Sequence, residues 1–219
     1  MPRPARPSKR PASAAPTDAE AASSPRIIGG ELRGRRLPHL PGGGTRPMKD
    51  RVRESLFDLV GTAVRGTLAL DLFAGTGALG FEALSRGAAR CVFAERHFPT
   101  ADLLRRSARE LGVADRCEVR PGDVLLWPRR FPPLPTDAPW LVFVSPPWAM
   151  FAATDPRHAE LLALVTAVRA AAPAGSTLVV EADAAFDAAT LPDAAAWESR
   201  AIPPAVLHLL HPDPTAGPR

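Results

Sequence analysis

The chain contains no tyrosine and only two cysteines, and aromatic residues make up 6% of its 219 positions. Cys91 and Cys117 lie 26 positions apart, outside any closely spaced Cys pair or Cys/His cluster, which argues against a disulfide framework and a structural zinc site. Two buried free thiols are the default expectation. His39, His97, His158, His208 and His211 have no zinc-ligand spacing, so no metal is expected. An uninterrupted apolar run of about 18 residues is missing, as is the continuous apolar centre of a secretory signal. The expectation is a cytoplasmic protein without a membrane segment. No phosphate-loop sequence with its lysine occurs, which argues against ATP or GTP hydrolysis, and there is no internal repeat.

What is present is enough apolar residue, 46%, for one substantial core. Charge is distributed unevenly: residues 1–66 carry 13 Lys or Arg against 6 Asp or Glu, and residues 67–219 carry 14 against 17. A basic N-terminal part on a near-neutral remainder suits contact with phosphates at the front and a small ligand behind. Charge by itself does not select RNA over DNA.

Residues 1–24 are rich in Pro, Ala, Ser and basic side chains without a regular period and read as a flexible tail. Residues 25–66 form an N-terminal extension. Within it, residues 26–37 predict a short β-rich hairpin with glycine turns, carrying Arg33, Arg35 and Arg36. Val52, Leu56, Leu59 and Val60 recur at helical spacing, with Asp50 as the expected cap. Arg46, Lys49, Arg51 and Arg53 stand near that helix start as substrate contacts. Residues 67–212 alternate predicted strands (68–73, 89–94, 117–121, 141–144, 176–181) with predicted helices (79–86, 101–111, 160–171), the rhythm of an α/β sheet. Residues 197–210 predict one or two edge strands interrupted by Pro203 and Pro204. Residues 213–219 form a short tail.

The first strand runs into Asp71-Leu-Phe-Ala-Gly-Thr-Gly-Ala-Leu-Gly80, a strand, tight turn and helix start. Gly75 and Gly77 permit close backbone approach, and Asp71 stands where a carboxylate accepts hydrogen bonds from a polar ligand. Ligands of parallel α/β sheets collect beyond the carboxyl ends of the strands. Glu95 ends the second strand, where it can pair with both ribose hydroxyls, and Asp123 follows the third, in reach of an adenine amino group. Phe73, Arg96, Gly122 and Val124 complete this candidate cofactor set. Short glycine pairs also serve ordinary turns, strand-end acids are often surface groups, and Asp123 also suits a turn or helix cap.

A fourth apolar strand leads into Ser145-Pro-Pro-Trp148. Proline restricts the backbone and removes amide donors, so carbonyl groups can be held toward a substrate amine. Trp148 offers a face for stacking a base, and Ser145 belongs to both the catalytic and the cofactor sets. An ordinary Pro-rich strand exit with Trp148 in the core is the alternative.

The Asp-x-x-x-Gly-x-Gly loop formed by Asp71, Gly75 and Gly77 resembles that of class I S-adenosylmethionine-dependent methyltransferases. The resemblance narrows to the bacterial 16S ribosomal RNA guanine-N2 methyltransferase family when Arg26-Ile-Ile-Gly-Gly30 with Arg33-Gly-Arg35, Thr45-Arg-Pro-Met-Lys-Asp-Arg-Val-Arg-Glu54 and the glycine loop through Gly87 are taken together. It covers residues 26–181. It implies a Rossmann-like doubly wound sheet, mostly parallel with an antiparallel edge, preceded by a short N-terminal hairpin and helix. It also implies S-adenosyl-L-methionine as cofactor and methyl transfer to the N2 amine of a guanine in 16S rRNA, within a partly or fully assembled 30S particle. A monomer is the expected state.

By the same resemblance Glu95 is the ribose-binding acid and Asp123 the adenine-side acid. Ser145, Pro146, Pro147 and Trp148 correspond to an amino-methyltransferase motif of Asn or Asp, two prolines and an aromatic residue. Ser145 departs from it, its hydroxyl being shorter than an amide and uncharged. The family's closing segment rich in Tyr and Gly is also absent. A methyltransferase for a protein or small molecule, and a noncatalytic donor-binding ribosome-assembly factor, remain as alternatives.

Overall fold

The computed structural model describes residues 24–38, 48–130 and 132–211. The 1–23 and 213–219 tails, the glycine-rich residues 41–45, and the candidate substrate residue Arg46 lie outside the described residues. Among those described, no helix is long and apolar enough to cross a membrane.

Five parallel strands build the sheet: β1 (Leu68–Asp71), β2 (Arg90–Glu95), β3 (Cys117–Pro121), β4 (Trp140–Val144) and β5 (Thr177–Asp183). A hairpin of β6 (Trp197–Ile202) and β7 (Ala205–Leu210) adds to it antiparallel, giving the order β3-β2-β1-β4-β5-β7-β6. This bears out the expected doubly wound, mostly parallel architecture. The hairpin enters with β7 inside the sheet, paired to both β5 and β6, so of its two strands β6 is the edge, opposite β3. β7 is apolar and largely buried, whereas β6 alternates little and is mostly exposed.

Strands covered on both faces read as continuous apolar runs, and every residue of β1 and β4 is buried. Side-chain alternation divides them between two cores. Leu68, Leu70, Val142 and Val144 join Leu161, Leu164, Val165 and Val168 of α4 (His158–Ala171), an apolar stripe at helical spacing. Ala69, Phe93, Phe143 and Val179 meet the opposite face, covered by α1 (Asp50–Val60), α2 (Ala78–Ser85) and α3 (Phe98–Glu110). The rings of Phe81 of α2 and Phe93 of β2 pack tilted by 42° with centroids 4.7 Å apart, and there is no room at Gly80, where a Cβ would approach the Phe93 ring to 2.3 Å. Cys91 and Cys117 are register partners across β2 and β3 and both are free; Cys91 is buried, as expected, and Cys117 only half-buried.

Ile27 and Leu37 of the N-terminal extension are part of the same core as α1 and α2. The expected hairpin is short, with one antiparallel bridge, Arg26 with Arg36, flanked by Ile27 N–H to the Arg35 carbonyl at 2.9 Å and Leu37 N–H to the Pro25 carbonyl at 2.7 Å, and its loop is stapled to α2. Ile28 and Gly29 donate their N–H groups to Glu82 at 2.7 and 2.8 Å, and Leu32 donates to Ser85 Oγ at 2.9 Å. At the start of α1, Lys49 rather than Asp50 is the N-cap. Asp50 is a first-turn acid that pairs with Arg26 and Arg53.

Candidate active site

The strand order reverses beside β1, whose neighbours β2 and β4 lead in opposite directions, and a crevice opens at such a switch point beyond the strand ends. Here it is a cavity of about 640 Å³. Phe73, Glu95, Arg96, Gly122, Asp123, Val124 and Ser145 of the expected cofactor set line it, together with Pro146, Pro147 and Trp148. The two sequence constellations, 50 positions apart between Glu95 and Ser145, thus share one wall.

Glu95 is held from behind. Gly75 N–H donates to one carboxylate oxygen at 2.8 Å and His97 N–H to the other at 2.7 Å. Each oxygen keeps a lone pair, and the head group is oriented before any ligand arrives. Gly122, at φ 140°, adopts a backbone conformation that other residues rarely enter, and a Cβ there would meet nothing within 4 Å. Conformation rather than crowding requires this glycine.

Asp71, Gly75 and Gly77 do not line the cavity but lie behind its wall. The Asp71 carboxylate, expected to face a ligand, turns inward and accepts the Gly80 N–H at 3.0 Å, tying the loop to the first turn of α2. Burial pushes its carboxyl up to about 7; the Gly80 hydrogen bond opposes that rise and the nearby Glu95 charge adds to it. Gly77 has φ 77°, and a Cβ on it would come within 2.6 Å of Leu104 and Phe81.

Asp123 lies in the wall with both oxygens engaged. Oδ1 accepts from Leu125 N–H at 3.1 Å, capping a 3-10 turn, and Oδ2 accepts from Arg157 at 2.5 Å. Arg157 also lines the cavity, and no local pattern around it announced this.

At the other end, Ser145 follows β4 and Glu181 lies within β5, side by side because Val144 pairs with Val180. The Ser145 hydroxyl donates to Glu181 Oε2. Glu181 is only 6% exposed yet belongs to the cavity wall. Burial pushes its carboxyl above the usual carboxylate range, while hydrogen bonds from the Ser145 and Trp148 side chains pull it back. Sequence reading passed over Glu181, although the strand-end rule that found Glu95 applies to it equally. Trp148 is half-buried, packed partly on the core and partly lining the cavity.

The basic candidates separate. Lys49 lines the cavity and Arg51 is exposed on α1. Arg33, Arg35 and Arg36 are exposed but absent from the wall. Arg35 donates to the carbonyl of Glu110 at 2.6 Å, at the last residue of α3, whereas the cavity-lining His97 caps the start of that helix. A 13-residue helix is roughly 20 Å long, so this contact lies at the far end of the sheet. Arg53 requires a correction: expected to meet substrate, it is 0% exposed. Its guanidinium donates to Arg26 O at 2.6 Å and Asp50 at 3.0 Å and lies 3.7 Å from Glu82. An arginine so enclosed joins the N-terminal segment to α2 and does not reach a ligand.

The family model for conserved hypothetical protein 95 matches residues 25–196. The ribosomal RNA small subunit methyltransferase D proteins of Escherichia coli and Haemophilus influenzae are 53% identical over 70 residues and 45% identical over 86 residues. Those stretches cover 32% and 39% of this chain, and 35% and 45% of the relatives, so the chain spans less than half the length of these curated relatives. Among solved structures, the protein named putative methyltransferase yhhF from Escherichia coli is 27% identical with a TM-score of 0.67, covering 87% of this chain and 98% of that one. A Thermus thermophilus protein of unassigned function is 27% identical with a TM-score of 0.62, covering 85% and 98%. The chain therefore belongs to the conserved hypothetical protein 95 family, a group with the class I S-adenosylmethionine-dependent methyltransferase fold that is related to the bacterial 16S rRNA methyltransferases.

Proposed function

We propose that this protein transfers a methyl group from S-adenosyl-L-methionine to the exocyclic N2 amine of a guanine in 16S rRNA, presented by a partly or fully assembled 30S particle. The observation that carries the reading is the shared cavity: Ser145, Pro146, Pro147 and Trp148 stand in one wall with Glu95, Gly122 and Asp123. The names of the small-subunit rRNA methyltransferases matched over part of the chain support the choice of substrate.

The cavity fits such a donor by its own features. A volume of about 640 Å³ lies within the roughly 300–1,000 Å³ range of small-molecule pockets. Glu95 is pre-oriented to accept from both ribose hydroxyls, Phe73 and Val124 give apolar flanks for the adenine, and Asp123 with Arg157 closes the adenine side. Gly122 lets the backbone approach. When bound, the donor would supply an electrophilic methyl carbon on a sulfonium, to which the amine nitrogen would bond as the C–S bond breaks and its electron pair stays on sulfur.

The residues of the chain then act by placement. Ser145 Oγ and the Pro146 carbonyl accept hydrogen bonds from the amine and aim its lone pair, and Trp148 offers a stacking face, a contact worth about 1–3 kcal/mol per base in single-stranded complexes. A base in paired RNA must first leave its stack. Lys49 in the cavity wall and the exposed Arg51 two residues on in α1 are the basic groups for phosphate contact, and Arg96 in the wall belongs to the donor's side.

The test is methyl incorporation from labelled S-adenosylmethionine into 30S particles and 16S rRNA lacking the modification, followed by nucleoside identification and site mapping. N2-methylguanosine is the expected product. A second reading, a donor-binding assembly factor without turnover, is favoured by serine in place of Asn or Asp at position 145. Donor binding and particle binding with no incorporation would establish it instead.

A further inference from the structure

We propose that Ser145 and Glu181 work as a pair: Glu181 holds the Ser145 hydroxyl proton, so that Ser145 Oγ meets the target amine with lone pairs only and relays to Glu181 the proton which that amine sheds. This rests on the methyl-transfer reading above and assigns Glu181 as a positioning residue acting through Ser145.

Serine carries one hydroxyl proton and two lone pairs, so a free hydroxyl can offer an amine either end, whereas Asn or Asp at this position offers an oxygen that only accepts. Here the proton is committed, since Ser145 donates to Glu181 Oε2. What remains toward the cavity is an acceptor. The pairing follows from β4 and β5 running parallel with Val144 opposite Val180, which sets residues 145 and 181 abreast just past that last pair.

Glu181 suits the second role because it is buried and still reaches the cavity. Burial raises its carboxyl, which brings its proton affinity nearer to that of a useful acceptor at neutral pH. Its hydrogen-bonding partners there are the Ser145 and Trp148 side chains. Its β7 register partner is Leu207, and the adjacent His208 pairs with Val180 in register and contacts Ser199. The other ionisable groups of the wall are Lys49 before α1, Glu95 at the end of β2, Arg96 and His97 after it, Asp123 after β3 and Arg157 before α4. The proton balance closes without a co-reactant. As the nitrogen gains its methyl group, one N–H proton passes to Ser145 Oγ, the Ser145 proton passes to Glu181 Oε2, and the resulting carboxylic acid later releases it to water.

The experiment compares wild type, Glu181→Gln, Ser145→Ala and the double change Ser145→Asn with Glu181→Gln on 30S particles across pH, with donor Kd measured alongside. Wild-type kcat should rise with pH as Glu181 ionises, over a range above that of an ordinary carboxylate. Glu181→Gln should lose about 100-fold in kcat and the pH-dependent limb, with donor Kd unchanged. The double change should recover only the part of the loss that comes from orienting the amine, without the pH-dependent limb, because an amide oxygen accepts from the amine unaided but no carboxylate remains to take its proton. Independently of turnover, a 13C carboxyl titration of Glu181 should move upward in Ser145→Ala, since that hydroxyl lowers it. That titration decides the pair even where Glu181→Gln does not fold. Wild-type kcat and pH profile in Glu181→Gln, an equal loss of donor affinity and kcat, or an unmoved titration each overturn the proposal. Failure of the underlying reading looks different: wild type itself yields no N2-methylguanosine.

Discussion

Glu82 and Glu181 are both buried acids, yet they sit in regions with opposite uses for a carboxylate. On α2, Glu82 is enclosed by donors: Ile28 N–H, Gly29 N–H and Arg86 Nε at 2.7–2.8 Å, with Arg53 at 3.7 Å. Beside the cavity, Glu181 receives Ser145 and Trp148 and keeps capacity facing open space. A saturated buried acid organises chain around itself, whereas a partly satisfied one at a cavity wall is available for chemistry. Asp71 is intermediate, fully buried with the Gly80 N–H as partner and outside the wall.

The hardest blow to this contrast would come from Glu82→Ala. It leaves the Arg53 charge buried with Asp50 as its remaining acid partner, and breaking a buried pair costs about 3–5 kcal/mol. Denaturant unfolding should show that loss, with faster proteolysis within residues 24–38. A loss below about 1 kcal/mol, the scale of surface pairs, would mean Glu82 does not organise the extension.

Asp71→Asn sharpens the middle case through pH. The folded-state carboxyl is raised from 3.8 to about 7, so the folded protein binds the proton more tightly than the unfolded chain does. The resulting stabilisation is complete below 3.8 and lost as pH rises through about 7. Wild-type Tm should therefore fall relative to the Asn variant across that window and run parallel above it. Parallel curves throughout would show that Asp71 is ionised in the fold at all these pH values.

The smallest effect concerns the extension's outer face. Neutralising Arg33, Arg35 and Arg36 together should weaken association with 30S particles and flatten its salt dependence by up to about 3 in log–log slope, leaving kcat unchanged at saturating particle. A change in kcat with an unaltered salt slope would tie these arginines to the cavity instead.

Much of this is legible in the chain itself, and the reasons are local. The buried strand β4 is written as an unbroken apolar run and β1 as one closed by Asp71, and β3 falls at its predicted bounds. Glu95 is legible as the acid closing a strand. Arg53 is not: on paper it is one more basic residue of an amphipathic helix, and its burial depends on Glu82, 29 positions away. The reach of β7 into the sheet is likewise obscured by the prolines before it, because edge and interior strands differ in their neighbours more than in their composition.

The sequence by itself determined the α/β order, the glycine-dependent loop and the residue types of two separate chemistries, since each is set by short-range pattern and backbone preference. Only the tertiary structure decided that Ser145 stands against Glu181, that Asp71 faces the core and that Arg53 never reaches solvent. Those are outcomes of strand register and helix packing, which join residues tens of positions apart through contacts that no local pattern encodes.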